Sequence, residues 1–543
     1  MTRFATFPLL LILGALGALA GVFWAPGWWA LCAVMVVLLA LGVWDVAQRR
    51  HSVLRNYPVI GHARYALESI RPELQQYFIE RDYDGRPFDR DTRSLIYERA
   101  KGIQGEKAYG TELDVYQPGY EYLLHSTAPV APPRQPPRVR IGGADCTKPY
   151  DMALLNVSAM SFGSLSANAL RALNRGAALG GFAHDTGEGG LTDHHLEHGG
   201  DLVWEIGSGY FGARTKDGNF DPGMFADKAA HDSVKCVSLK LSQGAKPGVG
   251  GVLPAAKVTA EIAKARNVPQ GEKCVSPAWH RVFATPRELV RFVARMRELS
   301  GGKPAGFKLC VGSRVDVLAI CKAMLAEGTT PDFIIVDGSE GGTGAAPLEF
   351  EDHVGRPLTE GLMMVHNALV GVGLRKQVKI GASGKVASGS DIVKRLIQGA
   401  DYTNAARAMM MATGCIQSQR CHTNQCPVGV ATQDPKRAQA LDVADKSLRV
   451  QRFQQATVAE AGQIMAAMGA HQPHELRPDQ LIRRVGHHDS DSYAELYHWL
   501  TPGELTADPA PDWAGDWEQA DPDRFGQRTH QPMNDHSNTK TGR

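Results

Sequence analysis

From Phe4 to Trp44 the chain runs without one charged side chain, and Pro26-Gly27 interrupts that run near its middle. A single membrane span needs about 20 apolar residues, so the run predicts a hairpin of two transmembrane helices, 5–24 and 28–47. Trp24, Trp28, Trp29 and Trp44 fall where interfacial aromatics belong, and Arg3 precedes the first span while Arg49, Arg50 and Arg55 follow the second. Because the connecting turn carries no charge, the positive-inside rule places both ends in the cytoplasm. A signal peptide cut after "ALA" at 18–20 is the alternative, and it would still leave the second span in place. Residues 51–145 show helical pieces without a sustained period and a proline-rich stretch, "APVAPPRQPPRVR", that predict a linker with an N-terminal subdomain.

Beyond about 146 the pattern changes. Short apolar runs alternate with helical stretches: "ALLNVSAM" 153–160, "VKCVSLKL" 234–241, "AGFKLC" 305–310, "DFIIVDG" 332–338, "QVKIGAS" 377–383 and "DYTNAAR" 401–407. Repeated strand–helix units whose strands are apolar throughout imply a parallel sheet covered on both faces. The predicted class is α/β, a (β/α)8 TIM barrel over 146–470 carrying the N-terminal transmembrane hairpin (1–50). A doubly wound sheet fits the alternation too, but "NVSAMSFGS" is not the G-x-G-x-x-G that usually marks its first strand. Residues 471–504 read as a C-terminal extension. The segment 505–543 is polar and short of aliphatics, and is expected to be disordered.

Composition narrows the function classes. With 59 basic and 57 acidic side chains the net charge is +2, which supplies no field for nucleic acid. Nine cysteines in 543 residues, six of them scattered, are not a disulfide framework.

In a barrel the chemistry sits on the loops that follow the strands. Here those loops are rich in glycine and polar groups: "SAMSFGSLS" 158–166, "HDTGEGG" 184–190, "LSQGAKPGVGG" 241–251, "DGSEGGTGAAP" 337–347, "GASGK" 381–385 and "NAARA" 404–408. Any one could be a tight turn, but six in succession are consistent with backbone N–H groups approaching a ligand. The last two follow the final strands, where barrels bind phosphate, and Arg407 is available as its bidentate partner. A phosphorylated cofactor is implied, with Gly341, Gly342, Thr343, Gly381, Ser383, Gly384, Ala406 and Arg407 as candidates to hold it. "GCIQSQRCHTNQCPVGVATQ", 414–433, concentrates Cys415, Cys421, His422 and Cys426 in twelve positions. Three thiolates are one short of the usual four-cysteine cluster set. A Cys3His zinc site through His422 and three buried free thiols are the other readings.

The stretches "MSFGSLS", "TGEGG", "LSQGAKPGVGG", "EGGTGAAP" and "CHTNQCPVGVATQ" resemble the FMN-binding synthase domain of glutamate synthase, in its stand-alone, membrane-anchored branch, over roughly 140–470. The resemblance implies FMN in the barrel and a three-iron, four-sulfur (3Fe-4S) cluster on Cys415, Cys421 and Cys426. It implies that electrons reach FMN through the cluster, and that 2-iminoglutarate, formed from 2-oxoglutarate and ammonia, is reduced to L-glutamate. By motif match Lys246 and the Gly248–Gly251 backbone would hold a substrate carboxylate and Glu188 would handle ammonia or imine protons. Lys308 would face the flavin, with Ala159, Met160, Ser161, Thr186 and Gln243 lining it.

The departures matter as much. The family's full-length enzymes begin with a glutaminase whose nucleophile is an N-terminal cysteine, whereas this chain begins Met1-Thr2-Arg3, so externally supplied ammonia or another amine donor is expected. No dinucleotide fingerprint is visible, which implies a protein or membrane electron donor. "SPAWHRVFATP", 276–286, replaces a di-histidine stretch beside the family's site, so a related enzyme acting on another amine or keto acid (an N-methylglutamate synthase or a hydroxyacid oxidase) stays open. So does a non-catalytic membrane electron-transfer subunit, although Glu188 and Lys246 argue against a pure relay. The expected location is the inner (cytoplasmic) membrane with the barrel facing the cytoplasm.

Overall fold

A computed structural model of the chain describes residues 6–103, 105–106 and 108–526. It divides into two compact units, residues 1–90 and 91–543.

In the first unit two apolar helices, Thr6–Phe23 and Trp29–Ala47, are joined by a tight turn at Pro26–Trp28, where proline starts the turn and cannot continue the preceding helix. Both are long and apolar enough to cross a membrane, and they match the spans read from the sequence. Three further helical segments follow: Ser52–Asn56, Gly61–Leu74 and Gln75–Ile79.

The second unit is built on a closed, parallel eight-stranded barrel. Its strands are β1 (Leu155–Val157), β2 (His184–Asp185), β3 (Leu202–Ile206), β4 (Val234–Lys240), β5 (Ala305–Leu309), β6 (Phe333–Asp337), β7 (Lys379–Ser383) and β8 (Tyr402–Ala405), neighbours in sequence order around the ring. Six are the apolar runs identified above; β2 and β3 are additional. Helices cover the outside, capped where the sequence offers a cap: Ser166 accepts from the Ala169 N–H, Thr285 from Glu288 and Ser388 from Asp391. The long helix Val443–Ala467 packs along Ala167–Gly180, and Gly176 sits against Val450, where a β-carbon would come within 2.7 Å of its side chain.

Three boundaries differ from the sequence reading. The antiparallel hairpin Arg138–Ile141 with Tyr150–Ala153 straddles position 145. It sends Ile141 and Met152 into a core with Val203, Cys236, Phe333, Ile335 and Tyr402 of the barrel strands, so the domain begins before 146. Glu121–Leu123 pairs with Leu481–Arg484, which pairs in turn with Ser490–Ser492, uniting part of the expected linker with the C-terminal extension. Residues 505–526 do not read as disordered either. Helix Pro511–Gln519 buries Trp513, with Arg314 stacked 4.6 Å over that ring and Lys322 4.6 Å over Trp517. Two tryptophans offset the ordering cost that the polar composition suggested. The rest of that expected tail, 527–543, lies outside the described residues.

Candidate active site

Side chains alternate along a strand, and the interior of this barrel changes character from one layer to the next. Above the apolar layer containing Val203, Phe333 and Tyr402, the strands contribute charge. Lys308 of β5 forms an ion pair with Glu205 of β3 at 2.5 Å, and both side chains are almost fully buried. Asp185 of β2 completes the group. Burial and the neighbouring Glu205 raise its carboxyl to about 8, against the pull of Lys308, so it is largely protonated at neutral pH. Its Oδ1 accepts from the Gly187 N–H at 3.0 Å, while Oδ2 is buried without a hydrogen-bond partner. Burial opposes the Lys308 charge, yet Glu205, Asp185 and Asp337 together hold its ammonium firmly protonated.

One layer nearer the strand ends, Glu188 forms a second pair. Lys240, the last residue of β4, donates to Glu188 at 2.7 Å and to Gln243 at 2.5 Å. Burial would raise the Glu188 carboxyl, but Lys240, Arg266 and Lys246 bring it down to about 2. Two glycines make room for it. A β-carbon on Gly207 would overlap the carboxylate, and one on Gly251 would approach it to 2.5 Å. Lys246, 3% exposed, donates to the Ala345 carbonyl at 2.9 Å. Burial and Lys240 lower its ammonium to about 8, with Glu188 and Glu351 opposing. His280, from the loop that replaces the di-histidine stretch, bonds to the Lys240 carbonyl at 2.8 Å and to the Tyr210 hydroxyl at 3.2 Å, and burial lowers its imidazole to about 4. It enters the site as a neutral brace for β4.

The residues expected to line a cofactor gather at this same end of the barrel. Ala159, Met160 and Ser161 follow β1. Thr186, fully buried after β2, donates to the Gly187 carbonyl and accepts from the Glu205 N–H, both at 3.1 Å. Gly187 has φ +64°, and a β-carbon there would come within 2.7 Å of the Ser161 nitrogen, so the loops after β1 and β2 close on each other only with glycine at this position. Gly341, Gly342 and Thr343 follow β6, and Gly342 abuts the Arg407 guanidinium, whose Nη2 donates to the Glu340 carbonyl at 2.6 Å. Ser383 ends β7 and bonds across to Ser158 at 3.1 Å; Gly384 continues at φ +156°. Ala406 precedes the helix that Arg407 begins. Gly381 is different. It lies inside β7 with its α-carbon against the Tyr402 ring, so its size is explained by interior packing. The remaining set offers a half-buried cation, Arg407, beside glycine-rich backbone at the ends of β6, β7 and β8, and a polar floor below, which fits a phosphorylated, planar cofactor.

The cysteine loop is fixed to the loop after β1. The Ser166 N–H donates to Val430 at 2.9 Å, and the Gln433 amide donates to Gly163 at 3.2 Å and Leu165 at 2.7 Å. Lys257, 2% exposed, donates to the Ser164 carbonyl at 3.2 Å and to Ala431 at 3.0 Å. Burial lowers its ammonium to about 8, and the Cys421 and Cys426 thiols counter that. Burial pushes Cys415 up to about 12; the Gln417 N–H opposes and the other two thiols add to the rise. The three thiols therefore share one neighbourhood with a buried cation. Among the described residues no group of three or more His, Cys, Asp or Glu side chains is placed to hold a metal ion. Three thiols in one neighbourhood are, by their chemistry, a donor set suited to an iron–sulfur group.

Sequence reading missed Lys240, Glu205, Asp185, Lys257 and His280. Lys240 and Glu205 carried a usable signal, a charged residue inside or ending an otherwise apolar strand.

A sequence profile described as the conserved region in glutamate synthase matches residues 139–471. The chain is 37% identical over 494 residues to the glutamate synthase large subunit-like protein YerD of Bacillus subtilis, covering 83% of this chain and 94% of that protein. It is 34% identical over 334 residues to an archaeal-type glutamate synthase (NADPH) of Thermotoga neapolitana, covering 61% of this chain and 62% of that enzyme, less than two thirds of its length. Among solved structures, a flavocytochrome b2 variant with sulfite bound aligns with a TM-score of 0.41 at 13% identity, over 86% of this chain and 94% of that one.

Proposed function

The chain belongs to the glutamate synthase family, and from that premise we propose that it is a flavin-dependent oxidoreductase that reductively aminates 2-oxoglutarate, taking ammonia from outside the chain. The overall change is 2-oxoglutarate plus ammonia, two electrons and two protons giving glutamate and water. Bound FMN would supply hydride to C2 of 2-iminoglutarate and a three-iron, four-sulfur cluster would supply the electrons. Arg407 with the backbone at Gly341–Thr343 and Ser383–Gly384 would hold the phosphate, Met160, Ser161, Thr186 and Gln243 the ring, and Cys415, Cys421 and Cys426 the irons.

The observation that carries the reading is the Glu188–Lys240–Lys246 cluster at the barrel mouth. A carboxylate held near 2 is a poor proton donor at neutral pH. Glu188 therefore acts as a fixed anion that accepts N–H bonds from ammonia or the iminium and orients the nitrogen over C2. Lys246, near 8, is cationic yet able to release a proton, so it both holds a substrate carboxylate and serves as the proton source for the departing water. Lys308, held in position by Glu205, would present its charge to the bound flavin. A pure electron relay would have no use for Glu188 and Lys246. The two apolar helices support a membrane anchor, and on this reading the membrane is the cytoplasmic one and the electron donor a protein or membrane carrier.

The test is isotopic. Purified protein supplied with 2-oxoglutarate, 15N-ammonium and dithionite should form 15N-glutamate; absence of labelled glutamate from protein that holds flavin and iron would overturn the proposal.

A further inference from the structure

The unit formed by residues 1–90 contains an apolar surface that the chemistry above does not use. Helix Gly61–Leu74 and its continuation Gln75–Ile79 place Ile60, Ala63, Leu67, Ile70, Leu74 and Tyr77 at alternating spacings of three and four, which confines them to one stripe. The stripe is not covered: Ile60 is 58% exposed, Leu67 61% and, beside Leu74, Phe78 81%. Arg64 and Arg71 fall along one edge of it, and Arg64 pairs with Glu68, farther round the helix, at 2.9 Å.

The start of this helix is tied to the end of the second apolar span. Asp45, in the last turn of Trp29–Ala47, is fully buried and accepts from the Val59 N–H at 2.9 Å and the His62 ring at 2.8 Å. Arg55 donates to the Val46 carbonyl at 3.3 Å. The stripe therefore begins at the level where the span ends, one turn beyond the exposed Trp44. Between Gln48 and Ile79 the chain carries Arg49, Arg50, Arg55, Arg64 and Arg71 against Glu68 and Glu73. An apolar stripe edged by arginines, with excess positive charge, is the pattern of a helix lying in a bilayer interface facing anionic headgroups. Self-pairing fits less well. Pro72 lies inside the helix, and two copies joined along the stripe would bring Arg64 and Arg71 of each toward like charges.

We propose that residues 60–79 form an interfacial helix on the leaflet from which the hairpin emerges, with the stripe among the acyl chains and the arginines among anionic lipid headgroups. The inference rests on the reading of Thr6–Ala47 as membrane-spanning. The anchor is then three-part, two spans and a flat helix.

The full chain, reconstituted in phosphatidylglycerol–phosphatidylethanolamine vesicles, is the object to test. Photoreactive p-benzoylphenylalanine is placed singly at Val37 in the hairpin, at Leu67 and Phe78 on the stripe, and at Glu68 off the stripe. Val37, Leu67 and Phe78 should label phospholipid, with yields at Leu67 and Phe78 at least about fivefold above Glu68. Lipid labelling at Val37 alone leaves the hairpin intact and overturns the interfacial helix. Cross-linking of Leu67 to a second copy of the chain also overturns it. Failure at Val37 as well removes the membrane-spanning reading and the inference with it. As a second variant, Leu67→Glu with Ile70→Glu should cut lipid labelling at Phe78 by about fivefold or more while the chain stays with the vesicles; unchanged labelling contradicts the proposal.

Discussion

Replacing Lys308 by Met probes the buried charge layer under the site. The Lys308–Glu205 contact of 2.5 Å, at an effective dielectric constant of about 20, corresponds to an attraction of about 7 kcal/mol before desolvation. Desolvation of the two ions costs several kcal/mol each, so the intact pair is near neutral, whereas removing one partner strands the other at about 3–5 kcal/mol. Here the two partners are not equivalent. Asp185 waits beside them with its carboxyl raised to about 8 by burial and by Glu205. In Glu205→Gln that repulsion disappears, Asp185 can ionise and pair with Lys308, and the loss is partly repaired. In Lys308→Met two carboxyls remain with no cation between them, and the full cost is felt. For a unit of this size, with about 2 cal/mol/K of unfolding entropy per residue, 3–5 kcal/mol lowers the midpoint by about 3–5 °C. Thermal unfolding of the purified variants, followed by circular dichroism, should therefore rank wild type above Glu205→Gln above Lys308→Met. The same layer sets a pH dependence. Burial and Glu205 make folded Asp185 keep its proton to higher pH than an unfolded aspartate does, so this group's contribution is full at low pH and declines as pH rises through the interval between the two. Lys308→Met melting with wild type, or Glu205→Gln melting below Lys308→Met, would refute the assignment of the pair and its reserve acid.

Other consequences are open to direct measurement. Glu188→Gln should leave FMN content unchanged and lower ammonia-dependent kcat by about 100-fold, the scale for one fixed electrostatic group; normal turnover would make the carboxylate structural. Since Lys246 is lowered to about 8 and binds carboxylate as a cation, kcat/KM for 2-oxoglutarate should fall as pH rises through about 8, and that break should vanish in Lys246→Met with a uniformly low value. Cys421→Ser should remove iron, measured by metal analysis, while sparing FMN, because the cysteine loop and the phosphate-end residues are on different segments. Deleting 1–90, the whole first unit and not 1–50 alone, should yield protein that stays in the supernatant without detergent and retains flavin; loss of flavin would show that the unit is part of the barrel's integrity.

What the sequence made legible follows from what each element needs to declare itself. Six strands stand out because they are apolar on both faces. His184–Asp185 is too short to show any period, and Leu202–Ile206 carries Glu205, which interrupts the apolar signal at the position that matters for the site. The hairpin at Arg138–Ala153 alternates charge and apolar residues at the barrel floor and so resembles linker. The glycine-rich loops were readable as a site because glycine is demanded by close approach, as at Gly187 and Gly251. The ion pairs were not, because Glu205 meets Lys308 only through strand register, which puts Lys308 beside Lys240 and Glu205 beside Ser238, and Glu188 meets Lys240 only through the turn that follows β2. Lys257 reaches the cysteine loop across 164 residues of chain to Cys421, and nothing local announces it.

The central claim is that electrons held by this protein pass to an imine made from 2-oxoglutarate and ammonia at the Glu188–Lys246 mouth. Anaerobic stopped-flow absorbance of dithionite-reduced, desalted protein mixed with both substrates measures it directly. The account predicts recovery of the oxidised flavin band with both substrates together, much faster than with either alone, and with glutamate formed in equal amount. Recovery no faster with 2-oxoglutarate and ammonium than with buffer would contradict it.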